Sequence, residues 1–100
     1  MNVYSACLVD NTSPGNVVLF NAATGEYRFC CNGVVIASGK GTVTGTGCDI
    51  TIDHTKGNRK VHISVSSAGQ GSGSAYVQKG TSQVCTITDP QMVGNVCACQ

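Results

Sequence analysis

Cys48-Asp49-Ile50-Thr51-Ile52-Asp53-His54 and Lys60-Val61-His62-Ile63-Ser64-Val65 decide how this chain folds. In the first stretch Cys48, Ile50 and Ile52 fall on one side, and Asp49, Thr51 and Asp53 on the other. In the second, Val61, Ile63 and Val65 form the apolar set. A period of two is the mark of a half-buried strand. Folding the pair about Thr55–Asn58 predicts Ile52 opposite Val61, Ile50 opposite Ile63 and Cys48 opposite Val65. The same register predicts Asp53 opposite Lys60 and Thr51 opposite His62 on the wet face. A slip of one residue would expose every apolar side chain.

The pattern extends outward from this hairpin. Strands are predicted at Val17–Asn21, Glu26–Cys31, Val34–Ser38, Thr42–Thr46, Ala75–Gln78 and Val84–Thr88. Turn residues separate them: Ser13-Pro14-Gly15-Asn16, Thr24-Gly25, Asn32-Gly33, Gly39-Lys40-Gly41, Lys56-Gly57-Asn58 and Asp89-Pro90. No long window places apolar residues at helical spacing without a Gly interrupting. The expectation is an all-β fold, a small antiparallel sandwich or barrel of about 7–8 short strands. One domain covers residues 1–100, with residues 1–21 read as an extended arm. Residues 66–74, rich in Gly and Ser, are read as a flexible loop.

Composition narrows the function classes. Two Phe, three Tyr and no Trp leave Val and Ile to fill most of the interior. Charged residues are 11% of the chain and the formal net charge is +1, so no basic stripe exists for a nucleic-acid backbone. No apolar run approaches the roughly 20 residues of a membrane helix.

Seven cysteines in 100 residues point to an oxidising compartment. Cys7, Cys30, Cys31, Cys48, Cys85, Cys97 and Cys99 are all disulfide candidates, and an odd number leaves one sulfur over. In a strand Cys30 and Cys31 face opposite ways and need different partners. The expected pairings are Cys30 or Cys31 with Cys48, and Cys85 with Cys97 or Cys99. Cys7 then ties the N-terminal arm to the body or to a neighbouring molecule. Residues 1–7 have neither a basic region nor a long apolar stretch. The expectation is a mature secreted, extracellular or periplasmic sequence whose leader has been replaced by Met1.

Catalytic and metal motifs are weak. Cys30-Cys31 and Cys97-Ala98-Cys99 lack the spacing of a zinc knuckle, and no Asp-x-Asp-x-Asp loop joins Asp10, Asp49, Asp53 and Asp89. Neither a metal nor a cofactor is expected. His54 and His62 lie on opposite arms and opposite faces of the hairpin. Glu26 and Arg28 with His62 would be the acid–base set of a small ribonuclease, but no motif ties them together. No enzyme is therefore expected. Thr42, Thr44 and Thr46 share a strand face, with Thr51 on the same side, and Asn11-Thr12-Ser13 fits a glycosylation sequon.

The favoured expectation is a non-catalytic secreted structural or assembly module, self-associating by strand addition. Val17-Val18-Leu19-Phe20 is the segment available to another subunit's sheet. The alternative is an extracellular carbohydrate- or protein-binding module, which predicts Tyr4, Tyr27 or Tyr76 exposed along a face. A small secreted hydrolase or ribonuclease ranks third.

Overall fold

A computed structural model describes residues 4–46, 49–65, 73–87 and 90–93. Ten strands run in order: β1 (Ala6–Asp10), β2 (Val17–Phe20), β3 (Glu26–Cys31), β4 (Val34–Lys40), β5 (Thr42–Thr46), β6 (Asp49–Lys56), β7 (Arg59–Val65), β8 (Gly73–Lys79), β9 (Ser82–Ile87) and β10 (Pro90–Val93). They form two antiparallel five-stranded sheets, β10-β1-β2-β3-β4 and β5-β6-β7-β8-β9. The described residues contain no helix. The fold is the expected all-β sandwich, with more strands than predicted.

Two strands were not foreseen. In β1, Ala6-Cys7-Leu8-Val9 is an apolar run without alternation, closed by Asp10. It lies between β10 and β2, where a strand has protein on both sides. β10 begins at Pro90, a residue tolerated as the first of an edge strand. Within the segment read as an arm, residues 6–10 and 17–20 are paired in their own sheet. All four residues of β2 are buried, between β1 and β3. Of the predicted 66–74 loop, residues 66–72 lie outside the described residues, and Gly73 and Ser74 already belong to β8.

The β6–β7 hairpin keeps the predicted faces but not the predicted register. Ile52 pairs with Ile63, Ile50 with Val65, His54 with Val61 and Asp53 with His62. The shift is two residues, because the turn is tighter than Thr55–Asn58. Lys56 pairs with Arg59, leaving Gly57-Asn58 as a two-residue loop. Gly57 has φ +63°, as the first central residue of a type II′ turn requires. Asn32-Gly33 likewise closes β3–β4, with φ +52° and +80°, the type I′ signature.

The sheets cross steeply. Tyr27, near the start of β3, meets His54 of β6, and Cys31 at its end bonds Cys85 of β9. One strand of the first sheet therefore spans the second from β6 to β9. β4 and β5 are separated by Gly41 alone, so a nearly continuous strand passes from sheet to sheet at a corner. Such corners belong to orthogonal packing. The Gly41 amide is held there by the Gly25 carbonyl at 2.9 Å.

Between the sheets lies one core. Leu8, Val18, Phe20, Tyr27, Phe29 and Ala37 face Ile50, Ile52, Val61, Ile63, Val65, Val77 and Ile87. The few rings are thus gathered on one sheet, against branched chains on the other. A smaller apolar cluster, Cys7, Val17, Leu19 and Cys30, is buried on the opposite face of the first sheet. Cys30 and Cys31 accordingly look in opposite directions, as the alternation predicted.

Cys31–Cys85 corrects two expected pairings, Cys31 with Cys48 and Cys85 with Cys97 or Cys99. The expectation favoured partners close in sequence. The steep crossing instead brings sulfurs 54 residues apart together across the core. Cys7 and Cys30 are also disulfide-bonded. Cys48, Cys97 and Cys99 lie outside the described residues.

Candidate functional site

The outer face of the second sheet carries the densest set of polar side chains. Register places Thr42, Asp53, His62, Tyr76 and Thr86 in one row across all five strands. A second row beside it contains Thr44, Thr51, Ser64 and Ser74. Alternation makes this inevitable: once Ile50, Ile52, Val61, Ile63, Ala75 and Val77 turn inward, these residues must turn out.

At the centre of the first row, His62 Nδ1 lies 2.6 Å from Asp53 Oδ1. Nδ1–H donates to the carboxylate, which leaves Nε2 as an acceptor when the ring is neutral. The imidazole also stacks on Tyr76, with centroids 5.2 Å apart and planes at 23°. Asp53 and His62 remain 46% and 26% exposed, so the dyad is open to solvent. In the second row the Thr44 and Thr51 hydroxyls are hydrogen-bonded to each other. They border a hollow of about 260 Å³ with Gly45, Asp49 and Ser64. The face combines fixed acceptors, hydroxyls and one aromatic pair, and the charges it carries are Asp49, Asp53 and Lys60.

A second polar cluster lies inside. The Tyr27 hydroxyl is 2.6 Å from His54 Nδ1, their rings meet edge to face, and Arg59 is close enough to interact with the phenol. Burial pushes the Tyr27 phenol above its ordinary value, and Arg59 partly opposes that shift. Tyr27 is 1% exposed, so it does not line a face as expected. Its O–H is the only polar atom on a ring otherwise packed in the core.

The other predicted residues are scattered. Glu26 and Arg28 sit on β3 of the first sheet, and the Arg28 guanidinium lies 5.7 Å from the Tyr4 ring. His62 is on the second sheet, so the structure does not assemble these three. Among the described residues, no three His, Cys, Asp or Glu side chains converge as a metal site would require. The Asp53–His62 pair was missed because the predicted turn was two residues too long. Its signal was the Gly57-Asn58 dipeptide. No family model, curated protein or solved structure matches this chain.

Proposed function

We propose that this is a non-catalytic extracellular binding module that holds a carbohydrate on the outer face of its second sheet. The Asp53–His62–Tyr76 row carries the reading. Sugars are recognised by aromatic surface together with directed hydrogen-bonding groups, and neither needs net charge. Here the ring pair is braced by a carboxylate and flanked by Thr42, Thr86 and the Thr–Ser row. An extracellular setting is compatible with the Cys31–Cys85 bond and with the absence, among the described residues, of any helix long and apolar enough to cross a membrane.

The test is an NMR titration against a panel of neutral oligosaccharides. Shifts confined to His62, Tyr76 and the Thr–Ser row are expected, and Tyr76→Ala should weaken binding by about tenfold or more. Binding that survives Tyr76→Ala together with His62→Ala would overturn the reading, as would no binding across the panel.

A second reading, self-association, has its own observation. Val34 and Val35 on the edge strand β4 are 62% and 45% exposed, and no charged residue interrupts that strand before Lys40. Bare edges of this kind invite strand addition. Light scattering under oxidising conditions distinguishes the two: a monomer that persists at high concentration removes the assembly reading.

A further inference from the structure

The two register breaks in the described sheets converge on one place. In β3–β4, Phe29 pairs with Ala37 but Cys30 with Val35, so Ile36 is the extra residue of a bulge. In β8–β9, Val77 pairs with Cys85 but Gln78 with Gln83, so Val84 is the extra residue. Ile36 and Val84 both line a cavity of about 260 Å³, completed by Val77, Arg59 and Lys79. Bulges re-aim side chains and recur beside binding sites. Here one bulge from each sheet turns an aliphatic side chain toward the same space.

The charges in this cavity share one sign. Arg59 and Lys79 are direct cross-strand partners on β7 and β8. Like charges placed opposite each other destabilise a sheet. No carboxylate is among the described residues that line the cavity. Arg59 is also close enough to the Tyr27 phenol to interact with it. Val84 is left 51% exposed at the rim, where an apolar ligand could reach it. The volume falls just below the range typical of drug-sized ligands, so the occupant is small.

We propose that this cavity binds a free medium-chain aliphatic carboxylate, its head group on Arg59 and Lys79 and its chain against Ile36, Val77 and Val84. A carboxylate relieves the opposed cations, and the hydrocarbon covers the apolar wall. The site is separate from the carbohydrate face, because Arg59, Val77 and Lys79 belong to the inward-facing set of the second sheet.

The probe is octanoate, added to the intact oxidised protein and followed by methyl NMR and calorimetry. Saturable binding is expected, with shifts at Ile36, Val77 and Val84. Lys79→Gln, at the exposed end of β8, should weaken it about tenfold. Val84→Asp should abolish it, while both variants keep the wild-type amide spectrum. The proposal is overturned if octanoate does not saturate, or if Lys79→Gln leaves its affinity unchanged. It is equally overturned if 1-octanol binds as well as octanoate, or if inorganic phosphate displaces octanoate at equal concentration. The first of these would leave no site, and the others would reduce it to a greasy patch or a bare anion hole.

Discussion

The Tyr27 phenol joins three elements through one oxygen: it is hydrogen-bonded to His54 on β6 and interacts with Arg59 on β7 from its place on β3. Its ionisation would put a negative charge between the sheets, and burial resists that more than Arg59 assists it. The unfolded chain loses this proton near pH 10.0, and the folded chain holds it to higher pH. Stability owed to Tyr27 is therefore intact below pH 10 and falls as pH rises through the folded value. Tyr27→Phe removes the hydrogen bond and should cost about 1 kcal/mol at neutral pH. Above pH 10 the stability gap between the two proteins should narrow, because the variant has no such proton to lose. Urea unfolding of both, stepped upward from pH 8, checks the sign. A gap that widens with pH would show that the phenolate is favoured in the fold.

At the scale of the strand, faces were legible and register was not. A period-two pattern assigns Ile50, Ile52, Val61, Ile63 and Val65 to the core whatever the turn length, provided that the shift is even. Registers differing by two residues bury the same side chains, so hydrophobicity cannot choose between them. The choice fell to Gly57, whose φ of +63° permits a two-residue loop and adds the His54–Val61 and Lys56–Arg59 pairs. That shift also turned Asp53 from Lys60 to His62 and so created the dyad of the candidate site. The apolar run of β1, buried on both faces, has no alternation to read, and β2, equally unbroken, was legible only because turn residues bound it at both ends. Gly57→Ala tests the turn. Nothing lies within 4 Å of the added methyl, so only the backbone penalty remains, about 1–3 kcal/mol. Denaturant unfolding should show the midpoint lowered and the m-value unchanged. A cost near zero would mean that the loop can adopt another turn, and the register would then not depend on Gly57.

The molecule as a whole measures 30 × 29 × 27 Å, and its main core is one layer of side chains between crossed sheets. Three rings, Phe20, Tyr27 and Phe29, provide most of the bulk on one side, and mostly aliphatic chains meet them from the other. A domain of this size buries a modest share of its surface, so a covalent link between the layers carries unusual weight. The Cys31–Cys85 bond closes a separation of 54 residues and joins β3 to β9, strands of different sheets. By loop-closure entropy it is worth up to ~4 kcal/mol. Replacing both cysteines by Ala should lower Tm by roughly 15–30 °C for a domain of this length. Replacing only Cys31 should do about as much harm, since it removes the same cross-link while the Cys85 thiol stays packed as a small apolar group. Calorimetry of the oxidised double variant decides the matter. A fall of only a few degrees would mean that packing alone holds the sheets in their crossed arrangement, and that sulfur contributes to this fold as one more buried apolar contact.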